Sequence, residues 1–271
     1  MGWEFWPGWL LVAVVGASVG SFLNVVVYRV PRQLSLIHPP SHCPQCGTGL
    51  GPTENVPILG WIALGGRCRH CRTSISIRYP IVEAFTMGLY LVCVVVWGWS
   101  WTAASGALLL SWLFPLALID IETYLLPELL TRSALVTALL LRLGLPLLDG
   151  SGTAAIAPSL LDGAIGMTVG ILSLEAIGWI GLLVLGKEAM GGGDGKLMAA
   201  VGLWLGWRAV LVSIFVACLL GTAIGIALKL VRGKQWSKPI PFGPYLVLGA
   251  VTALFFGPQL VDWYWNLAVV S

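Results

Sequence analysis

The chain has 271 residues, 58% of them hydrophobic and only 10% charged, with a net charge of +3. An ordinary soluble domain is about 25% charged. With a mean hydropathy of +0.90, the chain cannot clothe a soluble surface, and the mild positive charge does not point to nucleic acid. What remains is an integral membrane protein in a lipid bilayer. Its spans are expected to be helices, because lipid forces each segment to satisfy its own backbone hydrogen bonds.

The first apolar run follows "MGWEFWPGW". No Lys or Arg precedes it, and Glu4 stands where a secretory signal carries its positive flank. Trp6 breaks the myristoylation pattern. The run therefore reads as a retained span. A span needs about 20 apolar residues, and the candidates are 9–28, 80–98, 102–119, 130–147, 163–185, 197–207, 209–230 and 243–261. The sixth is short, and reads as a tilted span or as one arm of a helical hairpin with its neighbour. The expected fold is an all-α polytopic membrane protein of about eight transmembrane helices. The expected organisation is a first span over 1–30, a cytoplasmic loop domain over 31–79, and a membrane-embedded domain over 80–271.

Basic residues set the orientation. With the N-terminus outside, thirteen of the fifteen Lys and Arg fall in cytoplasmic segments, leaving Arg142 and Arg208 near the outer half. That bias supports the count of eight and places Asp120 and Asp194 at the same, cytoplasmic, face. Glycine pairs four apart, at 16/20, 166/170, 202/206 and 221/225, are the spacing at which helix backbones approach closely. Trp residues near span ends, such as Trp9, Trp97, Trp99 and Trp263, form an interfacial belt.

The 31–79 insert is polar and rich in Pro and Gly, and holds Cys43-Pro-Gln-Cys46 and Cys68-Arg-His-Cys71. Two such knuckles read as a tetrahedral structural zinc site of four thiolates. The alternative is two disulfides or four separate thiols, and a cytoplasmic location argues against disulfides. His42 and His70 adjoin the cysteines as solvated loop residues or substitute ligands. Cys93 and Cys218 lie inside spans and read as packing residues.

Carboxylates in or bordering hydrocarbon are costly, so each is a functional candidate. They are Glu83, Asp120, Glu122, Glu128, Glu175, Glu188 and Asp194. Glu122 and Glu188 adjoin loops and read as solvated or ion-paired. Asp120 ends "SWLFPLALID", and Asp194 follows Gly191, Gly192 and Gly193 and precedes Lys196. The glycines are expected to let Asp194 leave helical geometry and meet Asp120. Two carboxylates brought together share one proton. One can then activate water while the other polarises a carbonyl, as in peptide hydrolysis. On the residues alone, a carboxylate-coupled transporter using the same pair stands beside this reading.

The motifs resemble those of the type IV prepilin peptidases, membrane aspartic proteases with a GxGD motif. "GSFLNVVVYRVP", "HCPQCG", "ENVPILGWIALGGRCRHC", "ISIRYPIVEAFT", "ALIDIETYLLPELLT" and "KEAMGGGDGKLMAAVGLWLGW" occur in the family's order across nearly the whole chain. The resemblance implies a bacterial inner-membrane enzyme with its active site on the cytoplasmic side. It would cut the basic leader from prepilins or pseudopilins after a glycine. It would then N-methylate the new terminus with S-adenosylmethionine; a peptidase without the methyltransferase is the variant reading. Carried over residue by residue, Asp120 and Asp194 become the catalytic pair. Gly191 and Gly193 become the motif glycines, and Cys43, Cys46, Cys68 and Cys71 the zinc ligands. Lys196, Glu122, Glu128 and Glu83 are supporting candidates. Two positions depart from the family pattern: Glu128 follows Pro127 where an aspartate is usual, and Gly195 replaces a larger residue. Neither a Rossmann-type glycine fingerprint nor an oligomeric state is legible.

Overall fold

The computed structural model describes residues 6–186, 191–232 and 240–269. Lys187, Glu188, Lys234 and Lys238 lie outside the described residues. The helices are α1 (Trp6–Arg29), α2 (Leu59–Ala63), α3 (Arg78–Trp97), α4 (Trp101–Thr123), α5 (Glu128–Leu148), α6 (Ile156–Leu185), α7 (Gly192–Leu205), α8 (Trp207–Arg232) and α9 (Gly243–Val269). Seven of them, all but α2 and α7, are long and apolar enough to cross a membrane. Their exposed faces are themselves apolar, with Leu11, Val95, Leu183 and Phe215 outward, as a lipid-facing surface requires.

The sixth expected span differs from the rest. α7 has 14 residues, a rise of about 21 Å, short of the ~30 Å hydrocarbon core. It starts five residues earlier than the apolar run implies, taking in Gly192 to Lys196. Every residue from Leu197 to Trp204 is buried. A helix apolar all round is a core element and not a surface one, so protein, and not lipid, encloses α7. α6 also starts earlier than expected, at Ile156. Its Asp162, which ended the apolar run in the sequence, is held in an ion pair with Arg142.

The chain divides into two compact units, Met1–Ser111 and Trp112–Ser271. In the first, α1 lies against α3. A Cβ added at Gly16 would come 2.9 Å from the Met87 Cα, and one at Gly20 would come 2.7 Å from the Glu83 Cα. In the second, α7 runs antiparallel to α6. A Cβ at Gly166 would overlap the Gly202 carbonyl, and one at Gly170 the Met198 carbonyl. Gly16, Gly20, Gly166, Gly170 and Gly202 thus mark close backbone approach. The Gly221/Gly225 pair does not, because its nearest neighbours stand at ordinary distances of 3.5 Å and 3.9 Å. Gly206 has a different use: its φ of +85° ends α7 in a conformation that favours glycine.

Candidate functional site

Asp120 lies in the last turn of α4, and Asp194 in the first turn of α7. They are 6% and 8% exposed and close enough to interact electrostatically. The Gly243 N–H donates to Asp120 Oδ2 at 2.9 Å. Gly243 begins α9, so a helix N-terminus, with its unpaired N–H groups and positive dipole end, faces the carboxyl. A Cβ at Gly243 would sit 2.6 Å from Asp120 Oδ2. The sequence reading missed Gly243. Its signal was Pro244, since proline favours the first helical turn, but the partner across the fold was not legible.

The expected glycine hinge is corrected. Asp194 is helical, and its N–H bonds the Gly191 carbonyl at 3.1 Å. Gly191 is extended at φ −80°, ψ 145°, which any residue adopts. Gly193 admits a close approach instead: a Cβ there would meet the Leu126 Cβ at 3.0 Å. The glycines therefore let α7 begin early and pack tightly, with Asp194 fixed on its first turn.

The other end of α7 is clamped. Arg142 donates from Nε to the Leu203 carbonyl at 2.8 Å and from a terminal nitrogen to the Ser159 carbonyl at 3.2 Å. Its other terminal nitrogen meets Asp162 Oδ2 at 3.0 Å. A guanidinium fork thus satisfies a carbonyl at the C-terminus of α7, where a cation also opposes the helix dipole. The sequence had marked Arg142 only as an outlier in the charge bias.

The remaining carboxylates separate. Glu122 is on the exposed face of α4, and Asp120, two residues before it, is buried. Glu128 ion-pairs with Lys196, and with Arg132 at 2.8 Å. That ties the start of α5 to the start of α7. Glu83 belongs to the first unit and is buried. It accepts the Ile58 N–H at 2.7 Å, with Ile58 at φ 61°, ψ −55°, a conformation β-branched residues avoid.

The four loop cysteines come together, with all their Sγ atoms within 4.8 Å of one another. Cys43 and Cys71 are 3.7 Å apart, and Cys46 and Cys68 are 3.9 Å apart. A tetrahedron of sulfurs at the usual zinc distance has edges of about 3.8 Å, so this set fits a tetrahedral metal ion. The two knuckles fold alike. Gly47 N bonds Cys43 O at 2.9 Å, and Arg72 N bonds Cys68 O at 3.0 Å. Gly47 and Arg72 both take positive φ, at 70° and 59°. The Thr48 hydroxyl draws the Cys46 thiol down to about 6, and the N–H groups of Cys71 and His70 draw Cys68 down as well, whereas Cys71, against the pull of the Thr73 N–H, is pushed up to about 11 by burial and its three neighbouring sulfurs. The thiolate is the metal-binding form. His42 is engaged through Nδ1 with the Pro40 carbonyl at 2.9 Å.

This is a polytopic helical membrane protein with a buried carboxylate pair and a four-cysteine loop able to hold a metal ion. The Bacterial Peptidase A24 N-terminal domain family matches residues 14–97, and the Type IV leader peptidase family matches residues 107–226. A protein of Aeromonas hydrophila named prepilin leader peptidase/N-methyltransferase is 38% identical, over 96% of this chain and 94% of its own. Relatives of the same name from Pseudomonas aeruginosa and Pectobacterium carotovorum are 37% and 38% identical. They cover 96% and 92% of this chain, and 94% of their own lengths. The chain belongs to the type IV leader peptidase family. No solved structure matches it.

Proposed function

We propose that the chain cuts the leader from prepilins at the cytoplasmic face of the bacterial inner membrane, and that Asp120 and Asp194 carry out the hydrolysis. The observation that carries this reading is the pair itself, two buried aspartates close enough to interact. Burial keeps bulk water away and strengthens every charge interaction inside the site. One aspartate, ionised, takes a proton from water as its oxygen attacks the scissile carbonyl. The other, protonated, donates a hydrogen bond to that carbonyl. As the C–N bond breaks, the leaving amine takes up the proton that the first aspartate took from water. Gly243 N–H keeps the Asp120 carboxyl aimed, and the early start of α7 fixes Asp194 beside it.

The four cysteines are read as a zinc site. Cys43, Cys46, Cys68 and Cys71 would hold the ion, which would fold a loop with little core of its own. The relatives' names extend the reading to N-methylation of the new terminus, with S-adenosylmethionine as the donor. The residues of this chain are assigned no part in binding it.

The test is cleavage of a prepilin in liposomes by the wild-type protein and by Asp120→Asn and Asp194→Asn. Asparagine keeps size and hydrogen bonding and removes the ionisable proton. Each variant is expected to fold and to lose about a thousandfold or more in rate, as when one member of a catalytic unit is removed. Near-normal activity in either variant sinks the dyad.

A further inference from the structure

Not every carboxylate takes part in the hydrolysis. Glu175 lies within α6, inside a segment apolar enough to span the membrane. It is exposed, and no hydrogen bond or ion pair holds it among the described residues. An ionisable group at such a position is expensive and calls for a partner.

The packing of α6 against α7 fixes where Glu175 sits. Gly166 meets Gly202, and four residues on, Gly170 meets Met198 four residues back. One more step of four brings Leu174 level with Asp194, with Glu175 beside it. A groove of about 620 Å³ runs along this level, within the range of ordinary ligand sites. Among its described lining residues, Ile171, Trp179 and Leu182 give an apolar wall, with Gly195 and Lys196 at the start of α7 and Glu175 between. Lys196 is already paired with Glu128. Among the described lining residues, the unmatched charge is therefore the carboxylate of Glu175.

We infer that this groove seats the segment being cut, and that Glu175 pairs with a basic side chain of that segment next to its scissile bond. The inference rests on the reading of Asp120 and Asp194 as the peptidase pair. The occupant is identified by complementarity: an apolar stretch to cover Ile171, Trp179 and Leu182, and a Lys or Arg to neutralise Glu175. That cation also fixes register. It sets the distance along the chain from the bound side chain to the carbonyl facing Asp194, and so selects which bond is cut.

The experiment uses full-length protein in liposomes and a fluorescent prepilin peptide containing the leader and the following apolar segment, with binding and cleavage read separately. A charge-assisted hydrogen bond lost on binding corresponds to roughly a tenfold to hundredfold weakening. Glu175→Gln is expected to weaken binding and raise KM by that factor with kcat little changed, as for an interaction made equally in ground and transition states. Replacing the basic residue beside the cleavage site by Gln should do the same, and combining both changes should cost no more than either. Glu175→Lys should bind best a peptide with Glu at that position, a rescue that a packing role cannot give. Unchanged binding by Glu175→Gln, or an equal loss on the neutral peptide, overturns the inference. Cleavage judges the other reading independently. Binding that depends on Glu175 without any cleavage would leave the groove standing and the peptidase reading fallen.

Discussion

The four-cysteine loop and the short helix α7 both depart from full-length membrane helices, and they are held by opposite means. The loop has little apolar core, and its two knuckles converge four sulfurs to within 4.8 Å. Thiolates and a metal ion can order such a segment without burying much surface. α7 is buried from Leu197 to Trp204. It is held by close packing against α6, where glycines let the two backbones touch. The difference follows from surroundings. In water a metal can replace a missing core. Within a bundle a short helix can stand in the core itself, provided its ends are satisfied, here by Arg142 at one end and by the early glycine start at the other.

The contrast can be broken hardest at the α6–α7 contact. A side chain at Gly202 would meet Gly166 backbone, which cannot move aside. Gly202→Leu is expected to destabilise by more than the ~1–3 kcal/mol usual for overpacking, with little monodisperse protein recovered. Gly221→Ala, whose nearest neighbour is a Phe242 ring atom at 3.5 Å, should be recovered at wild-type yield. Equal yields from the two variants would remove the distinction between close approach and ordinary contact.

The loop should fail more locally. Cys46→Ser is expected to lower bound metal, read by elemental mass spectrometry, from about one ion per chain to near none. Loop proteolysis should rise while helical circular dichroism is kept. Loss of the helical signal would show that the metal supports far more than the loop.

A smaller effect is expected at the C-terminal end of α7. Arg142→Met removes three hydrogen bonds and leaves Asp162 unpaired. A cost of about 1–3 kcal/mol is expected for such a group, read as a lowered unfolding temperature, with Arg142→Lys recovering part of it. An unchanged melting curve would show that packing alone holds α7.

Much of this was legible in the sequence. All seven full-length helices fall within about eight residues of their expected bounds at each end, because lipid selects apolar runs one segment at a time. The start of α6 lies seven residues before its expected bound, and Asp162, which falls just outside the expected span, is held inside the helix by its ion pair with Arg142. The cysteines were legible because each knuckle is a local turn, and only their convergence on one point needed the fold. Asp120 and Asp194 stood out as carboxylates in apolar flanks, with Glu122 read as solvated or ion-paired and Glu128 as a supporting candidate.

What the sequence determined by itself was therefore the local chemistry: helices from hydropathy, thiolates from spacing, and two aspartates worth attention. The tertiary structure decided which acids are buried and which are ion-paired, that Gly243 faces Asp120, that Arg142 closes α7, and that Glu175 lies level with Asp194. Each of these joins residues far apart in the chain. Hydropathy and spacing are properties of a few neighbouring residues, whereas burial and charge pairing depend on what other helices bring alongside.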